Sequence, residues 1–117
     1  MIYKIFVEDI PLEVLIGLHE AERNCSQILL CNISLTVSMD KDYDEISNTV
    51  NYYELTQMLQ ATASMTKFML LEALADLLLD KIMSQDYVIA AKIKLSKPKI
   101  MSSLGAGICG ICVERSK

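Results

Sequence analysis

Three polar residues stand where burial would be costly, and their types suit proton transfer and ligand recognition. Lys97 shares one side of an alternating stretch with Ile89, Ala91, Ile93 and Leu95, and closes it just before Pro98. At that end its amine can reach a pocket. Glu72 lies within the apolar run FMLLEAL (68–74), near the start of a segment with helical spacing. Tyr52 opens another such segment. Each also has an ordinary reading. Lys97 can be a rim lysine whose stem packs while its amine reaches water. Glu72 can belong to a solvated acidic row with Asp76 and Asp80, and Tyr52 can be a core ring with a wet tip. On the residues alone these alternatives stay open.

Other chemistries find less support. His19 is the one histidine, so any Ser-His-Asp or Cys-His mechanism must run through it, and no nucleophile elbow surrounds it. Cys109 and Cys112 have C-x-x-C spacing, but no second pair or histidine cluster completes four ligands. On a strand, residues three apart face opposite sides. Two packed thiols are the expectation, with no metal and no cofactor. Gly105, Gly107 and Gly110 precede a strand instead of a helix, so they make no phosphate cradle.

Composition narrows the classes further. The chain has 117 residues, 52% apolar and 22% charged, which predicts one folded domain over 1–117. Fifteen acidic residues against 11 basic give a net charge of -4, unsuited to a nucleic-acid backbone. Phe68 to Leu79 is the longest apolar stretch, and Glu72 and Asp76 break it well short of a bilayer span. Glu8 and Asp9 interrupt the N-terminal run where a signal peptide would be apolar. The expectation is a cytoplasmic protein without membrane contact, its four cysteines reduced. A mean hydropathy of +0.32 points to apolar surface buried beyond a monomer core.

The elements that must position these residues follow from periodicity. Residues 2–19 read as one long strand, or two, kinked at Pro11. Residues 20–27 read as a connection. In 29–39, Leu29, Cys31, Ile33, Leu35, Val37 and Met39 alternate with polar residues, the clearest strand in the sequence. Asn51, with Glu54 three residues on, has the form of a helix N-terminus. Leu55, Met58, Leu59 and Thr62 continue it. A second helix is expected from about Lys67 to Met83, then strands over 87–97 and about 108–115. Strands, two helices and strands make an α+β layer: a four-stranded antiparallel sheet with both helices on one face. Its open edges predict a homo-oligomer joined through its sheets.

IGLHEAE (16–22), TVNYYEL (49–55), FMLLEAL (68–74) and LSKP (95–98) occur in that order, ahead of a glycine-containing last strand ending in VER. Over nearly the whole chain this resembles the dihydroneopterin aldolases of folate biosynthesis. The resemblance implies the tunnelling fold, ββααββ, assembled as an octamer of two stacked tetramers with sites between subunits. It implies a pterin substrate held by Glu72 with the Leu71 backbone beside it. It implies Glu22 near the reacting side chain, Lys97 as acid and base, and Tyr52 protonating the intermediate. Glu20, Tyr53 and Lys99 are close neighbours, and the family spacing favours Glu22, Tyr52 and Lys97. The implied reaction is a retro-aldol cleavage in which the dihydropterin ring is the electron sink, so no Schiff base, metal or cofactor is required. Two rivals remain: the sister epimerase acting on dihydroneopterin triphosphate, and a non-catalytic assembly module.

Overall fold

The computed structural model describes residues 1–40, 44–98, 105 and 107–117. Strand β1 (Ile2–Ile16) leads through a short helical turn, α1 (Glu20–Arg23), into β2 (Gln27–Ser38). Helix α2 (Tyr52–Ser64), a two-residue strand β3 (Lys67–Phe68) and helix α3 (Leu71–Met83) follow, then β4 (Val88–Lys97) and β5 (Cys109–Ser116). The sheet order is β3-β1-β2-β4-β5, antiparallel except where β3 runs parallel to the end of β1.

The alternation in β2 is reproduced: Leu29, Cys31, Ile33, Leu35 and Val37 are buried under the helices. Asn32, Ser34, Thr36 and Ser38 lie on the opposite face, half-buried among strand neighbours. Helix α2 meets the apolar face with Leu55, Leu59 and Ala63, and α3 with Leu74, Ala75, Leu78, Leu79 and Ile82. Each fully buried leucine contributes about 1.5–3 kcal/mol. The α2 cap forms as expected, the Asn51 Oδ1 accepting from the Glu54 backbone N–H at 3.2 Å.

Four local expectations need correction. The sheet has five strands, because Lys67 and Phe68 pair with Leu15 and Ile16 instead of opening a helix. Helix α3 therefore begins at Leu71; the apolar run FMLL hides the change from strand to helix. The irregularity in β1 falls between Val7 and Ile10, where Asp9 takes φ 56 and its N–H donates to Asn32 Oδ1 at 2.9 Å. Pro11 stays in register opposite Leu30 on an outer strand, where its missing N–H costs no ladder bond. In β4 a register shift against Thr36 and Val37 turns Ile89 outward and Val88 inward. From Ala91 on, the expected phase holds. The 20–27 connection contains the α1 turn.

Cys31 sits fully enclosed among these aliphatic side chains, and burial pushes its thiol up to about 12 from the ordinary 9.0. Below about pH 8 the thiol is protonated in both folded and unfolded chains. As pH rises through 9.0 the unfolded chain releases a proton that the folded chain keeps to about 12, so stability is lost on that side. Measured by urea unfolding, the stability of wild type relative to Cys31→Ala is expected to shrink by about 1.4 kcal/mol between pH 8 and pH 10.

Candidate functional site

Strand β4 runs toward Lys97, which pairs with Cys109 on β5 and follows Leu95 by two residues. Its half-buried side chain is therefore on the helix-covered side of the sheet. Helix α3 packs over β4 and β5 and runs antiparallel to β4. The first turn of α3, with Leu71 and Glu72, consequently stands at the same end and on the same side of the sheet as Lys97. Glu72 is exposed and Leu71 half-buried. The N-cap residue of α3 is Leu70, whose side chain makes no cap, so no N-cap side chain occupies the first-turn N–H groups. That terminus carries partial positive charge and favours anions, Glu72 among them. A carboxylate beside first-turn N–H groups that no N-cap side chain occupies can hold a planar ligand that offers both donors and acceptors.

The close approach of β5 fixes this end of β4. Gly110 pairs with Ser96, one rung from Lys97 and Cys109. A Cβ on Gly110 would lie 2.0 Å from the Leu95 carbonyl oxygen and 2.8 Å from Ser96 Cα. Only glycine allows the strands this near. Farther along, the Arg115 guanidinium donates to both Asp80 and Asp76 on α3. The Asp80 hydrogen bond, followed by that to Asp76, holds the guanidinium above its usual value. The acidic row read from sequence as solvated therefore also tethers the outer strand to the helix.

On the far side of this end, β1 stops at Ile16 and the chain turns at Gly17, which is buried with φ 154, a conformation reserved for glycine. The Gly17 N–H donates to the Phe68 carbonyl at 3.1 Å, joining the turn to the strand that precedes α3. Arg23 donates to the carbonyls of Gly17 and Leu18, each at 2.9 Å, and Gln27 Nε2 to that of Ile16 at 2.6 Å. Glu22 belongs to the α1 turn at this end, its side chain lying outside the described residues. His19 and Glu20 are exposed beside it. Lys99 also lies outside the described residues.

Tyr52 is not brought to this end. It opens α2, which runs toward β3, and so it stands about 20 Å away, the length of that helix. Thr49, three residues earlier, hydrogen-bonds Tyr3 at the start of β1, opposite Ile16. Tyr52 and Tyr53 are both exposed. One chain therefore unites Lys97, Leu71 and Glu72 near the turn carrying Glu22, and leaves Tyr52 at the other end. Arg23 and Gln27 had no mark in the sequence pattern, since their partners are backbone carbonyls. Among the described residues, no group of three or more His, Cys, Asp or Glu could hold a metal ion, and no helix is long and apolar enough to cross a membrane.

The family model for dihydroneopterin aldolase (FolB) matches residues 5–114. A probable dihydroneopterin aldolase from Chlamydia trachomatis is 32% identical over 85 residues, covering 70% of this chain and 68% of that protein. The Haemophilus influenzae dihydroneopterin aldolase is 26% identical over 101 residues, covering 85% and 86%. Among solved structures, a Vibrio cholerae putative dihydroneopterin aldolase superposes with a TM-score of 0.85 at 23% identity, covering 98% of each chain. The Escherichia coli enzyme in complex with neopterin gives 0.85 at 21% identity, covering 97% and 99%. A Burkholderia enzyme bound to guanine gives 0.81 at 20% identity, covering 99% and 92%. The fold is theirs.

The Gly110 contact yields a direct test of how this end is held. Gly110→Ala is expected to lose about 1–3 kcal/mol of stability by urea unfolding, as overpacking against fixed backbone does. Gly107→Ala, whose Cβ meets nothing within 4 Å, should show no comparable loss from packing.

Proposed function

The chain belongs to the dihydroneopterin aldolase family, and from that premise we propose how its residues divide the work. The activity is that of a lyase: 7,8-dihydroneopterin is cleaved to 6-hydroxymethyl-7,8-dihydropterin and glycolaldehyde in folate biosynthesis. The relatives named above are aldolases, which disfavours the triphosphate epimerase.

One observation carries the site assignment: Glu72 and Lys97, from different elements, share one end and one side of the sheet. A pterin presents its 2-amino group and N3–H side by side, and the two oxygens of Glu72 match that donor pair. Neopterin in the E. coli structure and guanine in the Burkholderia structure both carry an amino group beside a ring N–H. The Leu71 backbone sits beside this edge. With the ring so held, its 6-substituent extends toward Lys97 and the turn bearing Glu22. Lys97 takes the proton of the 2′-hydroxyl, directly or through water. The C1′–C2′ bond breaks, glycolaldehyde leaves, and the electron pair enters the ring C=N bond. Proton delivery to C1′ completes the product. Because the ring accepts the electrons, the reaction requires neither a Schiff base nor a cofactor.

Tyr52 serves this scheme from a second subunit. Its distance from Lys97 within one chain supports that division, as do two apolar ends. Leu18, Met69 and Leu70 are exposed around the Glu72 end, and Ile46 and Tyr53 beside Tyr52. Exposed apolar groups of this kind mark interaction surfaces. Among the described residues the outer edges of β5 and of β1 before Leu15 have no strand partner, and they suit a ring of joined sheets stacked as an octamer. The proposed location is the cytoplasm, which suits four free thiols.

Incubation with 7,8-dihydroneopterin tests the assignment. Wild type should release glycolaldehyde, and Lys97→Ala should do so about a hundredfold more slowly, within the range of general acid–base catalysis. Near-normal turnover by Lys97→Ala would remove Lys97 from the chemistry, and no product from wild type would leave the assembly-module reading. The subunit division has its own test. Tyr52→Phe and Lys97→Ala proteins, mixed, unfolded and refolded together, should recover intact sites at about a quarter of the total if assortment around the ring is random. Co-assembled rings, verified by light scattering, that recover nothing would place both residues in one subunit or Tyr52 outside the site.

A further inference from the structure

The turn after β1 is held in an unusual way. Three successive carbonyls, those of Ile16, Gly17 and Leu18, accept from side chains of the segment that follows them: Gln27 takes the first and Arg23 the other two. Hydrogen bonds from a charged donor are stronger than neutral ones. The same turn is tied to β3 through the Gly17 N–H and the Phe68 carbonyl. From Phe68 the chain reaches α3 and Glu72 within four residues. The turn carrying Glu22 and the helix carrying Glu72 are thus coupled through Gly17, and Arg23 closes that coupling.

Gly17 is what makes the clamp necessary. Its φ of 154 lets the chain leave the sheet abruptly, and among the described residues its carbonyl and that of Leu18 then have no strand partner. The guanidinium of Arg23 reaches back over the α1 turn and supplies both hydrogen bonds from one nitrogen, Nη1. The Arg23 N–H in addition donates to the His19 carbonyl at 3.3 Å, so main chain and side chain brace the same loop.

We infer that Arg23 is a positioning residue for the aldol cleavage: by gripping the Gly17 and Leu18 carbonyls it sets the place of Glu22 relative to the pterin anchored at Glu72. This rests on the proposed reading of Glu22 and Glu72. Its Nη1 is engaged by the Gly17 and Leu18 carbonyls, and no substrate contact is assigned to it. Misplacement of a reacting group by about 1 Å can cost about a hundredfold in rate. Loss of the clamp should accordingly slow the chemical step while leaving the ring-binding edge intact.

A double-mutant cycle between Arg23 and Glu22 separates positioning from general support of the fold. Arg23→Ala should lower kcat by about 10- to 100-fold. Its affinity for 6-hydroxymethyl-7,8-dihydropterin, which lacks C2′ and C3′ of the substrate side chain, should remain within about twofold by calorimetry, the scatter of independent effects. In a Glu22→Gln background the same substitution should change kcat by no more than about twofold, because the group it positions is already disabled. Arg23→Lys keeps a cationic donor and should recover part of the rate. If Arg23→Ala does not fold, Arg23→Lys carries the same cycle. Independent, multiplicative losses of kcat would overturn the inference, as would product affinity falling in step with kcat. A wild-type protein that released no glycolaldehyde would instead overturn the proposed reaction, and the role of Arg23 with it.

Discussion

The sheet has one apolar face, and the chain between β2 and β4 must cover it. Strand β2 ends at Ser38 and β4, its antiparallel neighbour, begins near the same end, with the Ser38 N–H donating to the Tyr87 carbonyl at 2.9 Å. The intervening chain must therefore go out and come back. Two helices of equal length do this, α2 outward over β1 and α3 back over β4 and β5. From that one requirement the placement of the proposed site residues follows. The start of α3 has to lie where β4 finishes, so Glu72 and Lys97 share one end of the sheet. The start of α2 has to lie at the other end, so Tyr52 does not.

Much of this was legible in the residues because burial writes itself as periodicity. The two-residue period of 29–39 and the helical spacing after Asn51 both depend on a single face being apolar, and both elements form as read. What escaped was set by partners distant in sequence. Lys67 and Phe68 become a strand because Leu15 and Ile16 offer an unpaired edge, a fact no local pattern contains. Ile89 turns outward because of a register shift against β2. The Arg115 tether is similar: Asp76 and Asp80 have the spacing of a solvated row and acquire a partner only when β5 lies against α3.

The site was legible to a different degree. Lys97 and Glu72 stood out because a charged residue interrupts an apolar pattern, although in the fold Glu72 is exposed and bears no burial cost. Glu22 broke no pattern, and it was identified only by resemblance to a family. Arg23 and Gln27 were invisible because they act on carbonyls, which every residue has. The strongest constraints on this turn are thus the ones a residue-type search is least able to find. Gly17 is no exception: the β-rich run reads as strand through it to residue 19, and its φ of 154 shows only in the fold.

Dividing a site between the two ends of a subunit has an energetic consequence. A pocket completed by a neighbour exists only when the neighbour is bound, so substrate stabilises the assembly by the same free energy that assembly adds to substrate binding. In the proposed ring, the edges of β1 and β5 that lack partners among the described residues, and the exposed side chains around Leu70 and Tyr53, serve one event. In the proposed assembly their burial would drive association, and association would bring Tyr52 to a lysine that its own chain keeps about 20 Å away. The tether from Arg115 to α3 matters here too. It ties the outer strand to the helix that carries Glu72, so that docking against β5 would engage the helix proposed to hold the pterin edge. On this reading, the antiparallel return of α3 over β4 governs both halves of the site. It unites the lysine with the anchor, and it leaves the tyrosine where only another subunit can use it.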